Sequence, residues 1–146
     1  MPRSMTDEER DQFLTDYHVA TLSVASDSDR PPLTVPIWYG YLPGGNLTFF
    51  TGSEGRKARK SRLIEKAGVV SLSVQHERPP YKYVTVEGTV VQSDRSPSAA
   101  QLRAIVRRYL PEEMAQGFIA AELGRADSEL VLYSVRPDRW LTFDFS

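Results

Sequence analysis

The sequence predicts a mainly β protein with short helices, its strands forming one largely antiparallel sheet that closes, or nearly closes, into a small barrel. Three observations predict it. Alternating apolar and polar runs rich in Val, Thr, Tyr and Phe recur along the chain. Turn residues separate them at short intervals. Few helical segments lie between them, so most strands lack the long crossovers that parallel pairing needs. With 146 residues there is room for one core, and residues 1–146 are read as a single domain.

The elements follow in order. Thr6 is a natural N-cap, with Glu9 placed to complete a capping box, and Phe13, Leu14 and Tyr17 give the first helix an apolar face. Val19 to Ala25 alternates as a strand, and Leu33 to Leu42 reads as a second. Pro43, Gly44, Gly45 and Asn46 make a hairpin turn into Leu47–Thr51. Arg56 to Lys66 lacks Pro and Gly and reads as a helix, with Ser53 as N-cap and Gly68 past its end. Val69 to Gln75 and Tyr81 to Gln92 are strands, Gly88 marking a bulge or a close contact. Ser96-Pro97 opens a helix over Ser98–Leu110, Pro97 being placed in its first turn. A further helix follows from Pro111 to Leu123. Glu129–Val135 and Arg139–Phe145 are final strands around an Arg-Pro-Asp turn.

Composition narrows the function. Cysteine is absent, which excludes a disulfide scaffold, a thiolate metal site and a cysteine nucleophile, and fits a reducing cytoplasm. No secretion signal opens the chain, so a cytoplasmic protein is expected. Pro31 to Ser53 is 23 residues without a charge, but its four prolines and four glycines rule out a membrane-spanning helix, and no membrane partner is expected. His18 and His76 are the only histidines, and neither has a second metal-ligand type at suitable spacing, so no metal is expected. Phosphate-loop, dinucleotide and nucleophile-elbow motifs are missing, and no catalytic acid or base is assigned.

The net charge is −1, yet Arg56, Lys57, Arg59, Lys60, Arg62 and Lys66 fall within eleven residues, with only Glu65 among them. A solvated helix face is the plain reading of such a run. Cations in a first helical turn oppose the helix dipole, however, and the free amides there already attract anions. A phosphate is the economical counter-charge. Trp38, Tyr39, Tyr41, Phe49 and Phe50 lie close by in sequence. Alternation places Val35, Ile37, Tyr39 and Tyr41 on one face, with Pro36, Trp38 and Gly40 on the other. Pro36 cannot donate to a ladder and so marks an edge or a ligand-facing irregularity. A planar ring beside Pro36 and Trp38, its phosphate on Arg56 and Lys57, suits a phosphorylated flavin-like cofactor.

Four segments in register carry a family resemblance. They are Val19-Ala-Thr-Leu-Ser-Val24, Leu33-Thr-Val-Pro-Ile-Trp38, Phe50-Thr-Gly-Ser-Glu-Gly-Arg-Lys-Ala-Arg59 and Glu77-Arg-Pro-Pro-Tyr-Lys-Tyr-Val-Thr-Val-Glu-Gly88. The chain resembles the flavin/deazaflavin oxidoreductases with the split β-barrel of the pyridoxamine 5′-phosphate oxidase-like proteins. The Arg-Pro-Pro-Tyr-Lys-Tyr-Val run is most similar to actinobacterial members that use the deazaflavin coenzyme F-420. The resemblance implies that Thr51, Gly52, Ser53, Arg56, Lys57 and Lys60 hold the cofactor's phosphate and acidic tail, and that Pro36, Ile37 and Trp38 line its ring. It also implies a homodimer with the cofactor between subunits, and Tyr81, Tyr83 and Trp140 are expected near that shared cleft. Leu102, Ile105, Val106 and Tyr109 are alternatively candidates for packing within the chain.

The expected function is hydride transfer between reduced coenzyme F-420 and a small electrophilic molecule. FMN is the alternative cofactor, and a non-catalytic flavin carrier the alternative role. Six cations suit the longer anionic tail of the deazaflavin better than a single phosphate. Arg136-Pro-Asp-Arg-Trp140 lacks the Arg-x-His pair of true pyridoxamine phosphate oxidases, which argues against vitamin B6 oxidation. Binding of nucleic acid through the basic helix is disfavoured, because seven carboxylates oppose three arginines in the first thirty residues.

Overall fold

A computed structural model describes residues 2–52, 56–125 and 129–146, the side chains of Arg56 and Lys57 excepted. Its elements are α1 (Asp7–Thr15), β1 (Ala20–Val24), β2 (Leu33–Ile37), β3 (Gly40–Tyr41), β4 (Leu47–Gly52), α2 (Arg56–Ala67), β5 (Val69–His76), β6 (Lys82–Asp94), α3 (Ala99–Val106), α4 (Glu112–Gly124) and β7 (Leu130–Asp144). The seven strands form one sheet in the order β2-β1-β5-β6-β7-β4-β3, and every pairing is antiparallel. The sheet curls into the half-barrel of a split-barrel fold.

Local chemistry fixes the ends of several elements. Thr6 Oγ1 accepts from the Glu9 amide at 3.2 Å, while Glu9 Oε1 accepts from the Thr6 amide at 3.1 Å, completing the capping box. The same carboxylate takes both arms of Arg3, at 2.9 and 2.6 Å. The Arg3 backbone is laddered to Asp144 at the end of β7. The Arg3 and Thr6 hydrogen bonds hold the Glu9 carboxyl at about 2, against an ordinary value of 4.5. A carboxyl depressed on folding adds stability above its unfolded value, and that stability is lost as the pH falls toward the folded value. Between pH 5 and 2 the melting temperature of the wild type is therefore expected to fall more steeply than that of Glu9→Gln, as followed by circular dichroism.

Gly68 ends α2 at φ +71°, its amide donating to Ile64 O at 2.9 Å. Gly44 turns the β3–β4 hairpin at φ +79°, beside a Gly45 amide that donates to Leu42 O at 2.8 Å. Gly88 sits at a register shift between β6 and β7. A Cβ there would overlap Val135 Cγ1 and stand 2.6 Å from Arg136 O, so the bulge and the close approach are one feature.

Four expectations are corrected. The run Leu33–Leu42 is two strands, because the chain leaves the β1 ladder after Ile37 and pairs with β4 only from Gly40. Arg136-Pro-Asp is no turn: β7 runs unbroken through it, and the misfit is absorbed by the register shifts against β6. Pro97 precedes the helix rather than sitting in its first turn, since Ser98 is the N-cap and accepts from the Gln101 amide at 3.1 Å. Helix α3 stops at Val106 instead of Leu110. The Ser53 cap lies outside the described residues.

Two cores sit on opposite faces of the sheet. The concave face holds the main core, with Leu22, Leu72, Val74, Val84 and Val86 from the strands, Leu14 from α1, and Leu63 and Ile64 from α2. On the other face, α3 and α4 cover the β4–β7 end with Leu102, Ile105, Val106, Tyr109, Ala115 and Ile119 against Leu130 and Leu132. The α3 residues pack within the chain, as the intrachain alternative held. Arg103 and Arg107 both pair with Glu112, Arg107 Nε at 2.7 Å, clamping the two helices together. This helical cover stops short of β1, β2 and β5, whose outer faces remain open.

Candidate functional site

The boundary of the helical cover makes the cleft. Strand alternation buries Ile37, Tyr39, Tyr41 and Phe49 and turns Pro36, Trp38 and Phe50 the other way. Pro36 is exposed on β2, an edge strand of the sheet, where a residue without an N–H is tolerated. Trp38 is half-buried and lies flat on Tyr109, centroids 5.0 Å apart and planes at 6°. Phe118 of α4 leans on both Trp38 and Phe50, each at 6.1 Å. With Val19, Ile37 and Lys60 these residues line a cleft of about 270 Å³. Val19 and Pro36 also line a neighbouring cavity of about 860 Å³ that extends over β1 and β5 to His18, His76 and Arg78.

Tyr109 fixes the back wall. Its hydroxyl donates to His18 O at 2.7 Å and accepts the Tyr39 amide at 3.1 Å. Burial raises the Tyr109 hydroxyl above its ordinary value, so it stays neutral and available as both donor and acceptor. Tyr39 is fully buried and donates to Leu14 O at 2.7 Å, with the Arg108 guanidinium 4.6 Å over its ring. Arg108 reaches back to the carbonyls of Leu14 and Asp16, both at 3.0 Å. The segment joining α1 to β1 is thus tied to the end of α3, which positions both Trp38 and His18.

The expected cofactor residues fall into four groups. Pro36, Ile37, Trp38 and Lys60 come together in the 270 Å³ cleft, although Ile37 presents little surface because its side chain belongs to the main core. Thr51 and Gly52 are buried at the end of β4, where Gly52 O accepts from Ser61 Oγ of α2 at 3.2 Å. Ser53 and the side chains of Arg56 and Lys57 lie outside the described residues. Tyr81, Tyr83 and Trp140 are not gathered with Pro36 within one chain. Trp140 shares the core-facing cross-strand row of Val86 and Leu72 and is held under Arg10, 4.3 Å from the guanidinium, and against Tyr41. Tyr83 points from the opposite face, beside Gln75, and stacks on Phe143 at 6.0 Å.

The basic helix is partly answered by the protein itself. Arg62 pairs with Asp27 of the β1–β2 loop, and the guanidinium beside it holds that carboxyl below the usual range. Glu65 faces Arg95 at 2.6 Å rather than its neighbours in the run. Lys60 lies at the aromatic cleft. Sequence reasoning missed Phe118 and the wall-building role of Tyr109. Neither has a local signal, since each meets Trp38 only through the docking of α3 and α4.

The lining suits a planar cofactor with an anionic group: an exposed proline, an aromatic wall and a lysine at the cleft. Among the described residues no cluster of three or more metal-ligating side chains occurs, and no helix is long and apolar enough to cross a membrane.

Comparison with known proteins bears on the fold. A structure named F420 reductase superposes with a TM-score of 0.69 at 24% identity, over 90% of this chain and 94% of that one. A FAD-binding protein of Mesorhizobium loti gives 0.63 at 19% identity, over 99% and 96%. A conserved hypothetical protein of Mycobacterium tuberculosis gives 0.73 at 17% identity, over 97% and 86%. At these identities the likeness is one of fold. No curated protein matches the sequence. The family profile described as pyridoxamine 5′-phosphate oxidase matches residues 6–144, nearly the whole chain, and the protein therefore belongs to the pyridoxamine 5′-phosphate oxidase family, whose fold is that of flavin-binding oxidoreductases.

Proposed function

We propose that the protein is an oxidoreductase that uses coenzyme F-420 to exchange a hydride with a small electrophilic organic molecule. The observation that carries this reading is the juxtaposition of Pro36 and the Trp38–Phe50–Phe118 wall with Lys60 of the basic helix in one cleft. The bound cofactor supplies the hydride chemistry. The chain supplies position and electrostatics: Pro36 and Trp38 bear on the ring, Lys60, Arg56 and Lys57 meet the anionic tail, and the aromatic wall excludes water. The similarity to a structure named F420 reductase favours the deazaflavin. FMN is the second reading, supported by the comparable likeness to a FAD-binding protein. The true substrate of a pyridoxamine phosphate oxidase is disfavoured by the missing histidine in Arg136–Trp140.

The site is proposed to be completed by a second copy in a cytoplasmic homodimer. The uncovered outer face carries Val69, Tyr81, Leu141 and Phe145, each about half exposed or more, which is costly apolar area for an isolated chain. Tyr81 and Tyr83 on that face are proposed to meet a partner's cleft, whereas Trp140 on the core face supports its own chain.

The test is a fluorescence titration of apoprotein with coenzyme F-420 and with FMN, alongside sedimentation. Tighter deazaflavin binding and a species of two chain masses are expected. Tighter FMN binding would reverse the cofactor assignment, and a monomer binding cofactor normally would remove the shared site. Arg56→Ala with Lys57→Ala is expected to weaken binding at least about a hundredfold, since charge-assisted hydrogen bonds contribute roughly 1.5–3 kcal/mol each. Its melting temperature is expected to stay at the wild-type value, because cations oppose the dipole at a helix start.

A further inference from the structure

The space between α3 and the sheet is filled unevenly. Phe50 and Leu132 form one cross-strand row of β4 and β7, and that row packs into the helices. The next row toward the hairpin is Gly40, Thr48 and Ser134, paired in register across β3, β4 and β7. These residues are small, and a pocket of about 430 Å³ lies over them. Gly40 helps to make it: a Cβ there would stand 2.7 Å from Thr48 Oγ1 and 3.2 Å from Ile105 Cγ1. The helix side of the pocket is Gln101, Ala104, Ile105 and Arg108, spaced i, i+3, i+4 and i+7 and so on one face. Pockets for small organic molecules begin at roughly 300 Å³, so this one has room for a compound of one ring or a short branched chain.

The pocket is apolar at its floor and polar around it. Ile105 and Leu132 are buried beneath it, while Leu42, 77% exposed, stands at its rim on the hairpin and holds apolar area in water. The Thr48 and Ser134 hydroxyls bond no other described residue. Gln101 gives its Oε1 to the Ser98 amide at 2.8 Å in the helix cap, which leaves its amide hydrogens to donate elsewhere. The polar side chains around the floor are therefore uncommitted donors, set above an apolar surface.

Charge decides the ligand. Arg108 is the one charged residue among the described residues that line the pocket. Its Nη2 donates to the carbonyls of Leu14 and Asp16, which are neutral acceptors, and its Nε is sealed. Nη1 bonds no described residue and is the guanidinium nitrogen left for a ligand. No carboxylate among the described residues pairs with this guanidinium, so one positive charge stands unanswered at the pocket. A single carboxylate matches it in charge and in shape. The pocket is also separate from the cleft at Pro36. Ile105, Tyr109 and Leu132 form a buried layer between them, and Trp38 and Phe50 pack on that layer from the cleft side.

We propose that the pocket between α3 and the β3–β4 hairpin is a second ligand site, and that it takes a small monocarboxylic acid with an aromatic or branched apolar body. The body rests on Ile105 and Leu132 beside Leu42, and the carboxylate meets Arg108 with the Thr48 and Ser134 hydroxyls as further donors. The site does not depend on the oxidoreductase reading, because none of its residues lines the cleft that would hold the cofactor ring.

The experiment titrates the full chain at neutral pH with benzoate and with benzyl alcohol, which keeps the ring and lacks the charge. Binding is followed by calorimetry and by the methyl resonances of Ile105, Leu132 and Val19. Benzoate is expected to bind at least about tenfold more tightly than benzyl alcohol. It is expected to shift Ile105 and Leu132 to saturation and to leave Val19, at the ring cleft, unmoved. Ser134→Leu fills the pocket from the strand side and Ala104→Phe from the exposed face of α3. Each is expected to weaken benzoate at least about tenfold with the wild-type melting temperature kept. Absence of benzoate binding, equal affinity for the two probes, shifts at Val19 alone, or wild-type benzoate affinity in both folded variants would overturn the site. A two-chain species that either variant breaks into single chains would give the pocket to a second copy instead, and would overturn it as well.

Discussion

Tyr109→Ala is expected to lower the unfolding free energy by about 4 kcal/mol, the upper range for truncating a buried aromatic. Three contacts go at once. The flat stack on Trp38 is lost, the Tyr39 amide loses its acceptor, and His18 O loses its donor. For a chain of this length the melting temperature should fall by about 15 °C. Tyr109→Phe separates the terms, because it keeps the ring under Trp38 and removes only the hydroxyl. Leaving a buried amide unpaired costs about 1–3 kcal/mol, so the phenylalanine variant should lie between the wild type and alanine. Urea denaturation measures both. An alanine variant within 1 kcal/mol of wild type would show that Tyr109 does not organise the back wall of the cleft. The phenylalanine variant has a second consequence. With the stack intact and the His18 segment loosened, the ring end of the cleft is preserved while the histidine end is disturbed.

Gly88→Ala comes next in size. The new Cβ would overlap Val135 Cγ1 and crowd Arg136 O at 2.6 Å, and the second of these is backbone of β7 that cannot turn away as a side chain can. Overfilling a well-packed interior costs about 1–3 kcal/mol, and here the backbone contact puts the expected loss at the upper end, with Gly88→Val worse still. The control is Gly44→Ala. Nothing lies within 4 Å of a Cβ at Gly44, so only its φ of +79° resists the change, at a cost of about 1 kcal/mol. Thermal melts in which Gly44→Ala proved the more damaging would show that β6 and β7 are not in the register described. Both strands are central to the sheet, so a slipped pairing would displace core-facing Val86 and Trp140 together.

What the sequence determined by itself was the set of local decisions. Thr6 and Glu9 dictate a helix start through their own hydrogen bonds. Gly68 and Gly44 dictate a helix end and a hairpin, because few other residues adopt a positive φ there without strain. Period-two alternation assigns Tyr39 to the core and Trp38 to the opposite face, and Pro36 announces an edge. These signals act over a few residues, so they are legible without knowing what the chain meets.

The tertiary structure decided everything that depends on a distant partner. Arg136-Pro-Asp looked like a turn, yet pairing with β6 carries β7 extended through the region, apart from its register shifts, while β4 pairs with β7 only as far as Val135. Arg62 looked like a cation awaiting a ligand, and Asp27 from another loop answers it. Trp38 took Tyr109 and Phe118 as its walls only when α3 and α4 docked on the outer face of the sheet. Trp140 and Tyr83 were expected at one cleft, and strand pairing sent them to opposite faces. His18 and His76 offered no pattern at all, because the contact between them is made by the closure of β1 on β5 and the packing of Phe13 beneath His18. Local hydrogen bonding and backbone sterics are written residue by residue, whereas a cleft is the meeting of surfaces whose positions are set by burying apolar area across the whole chain.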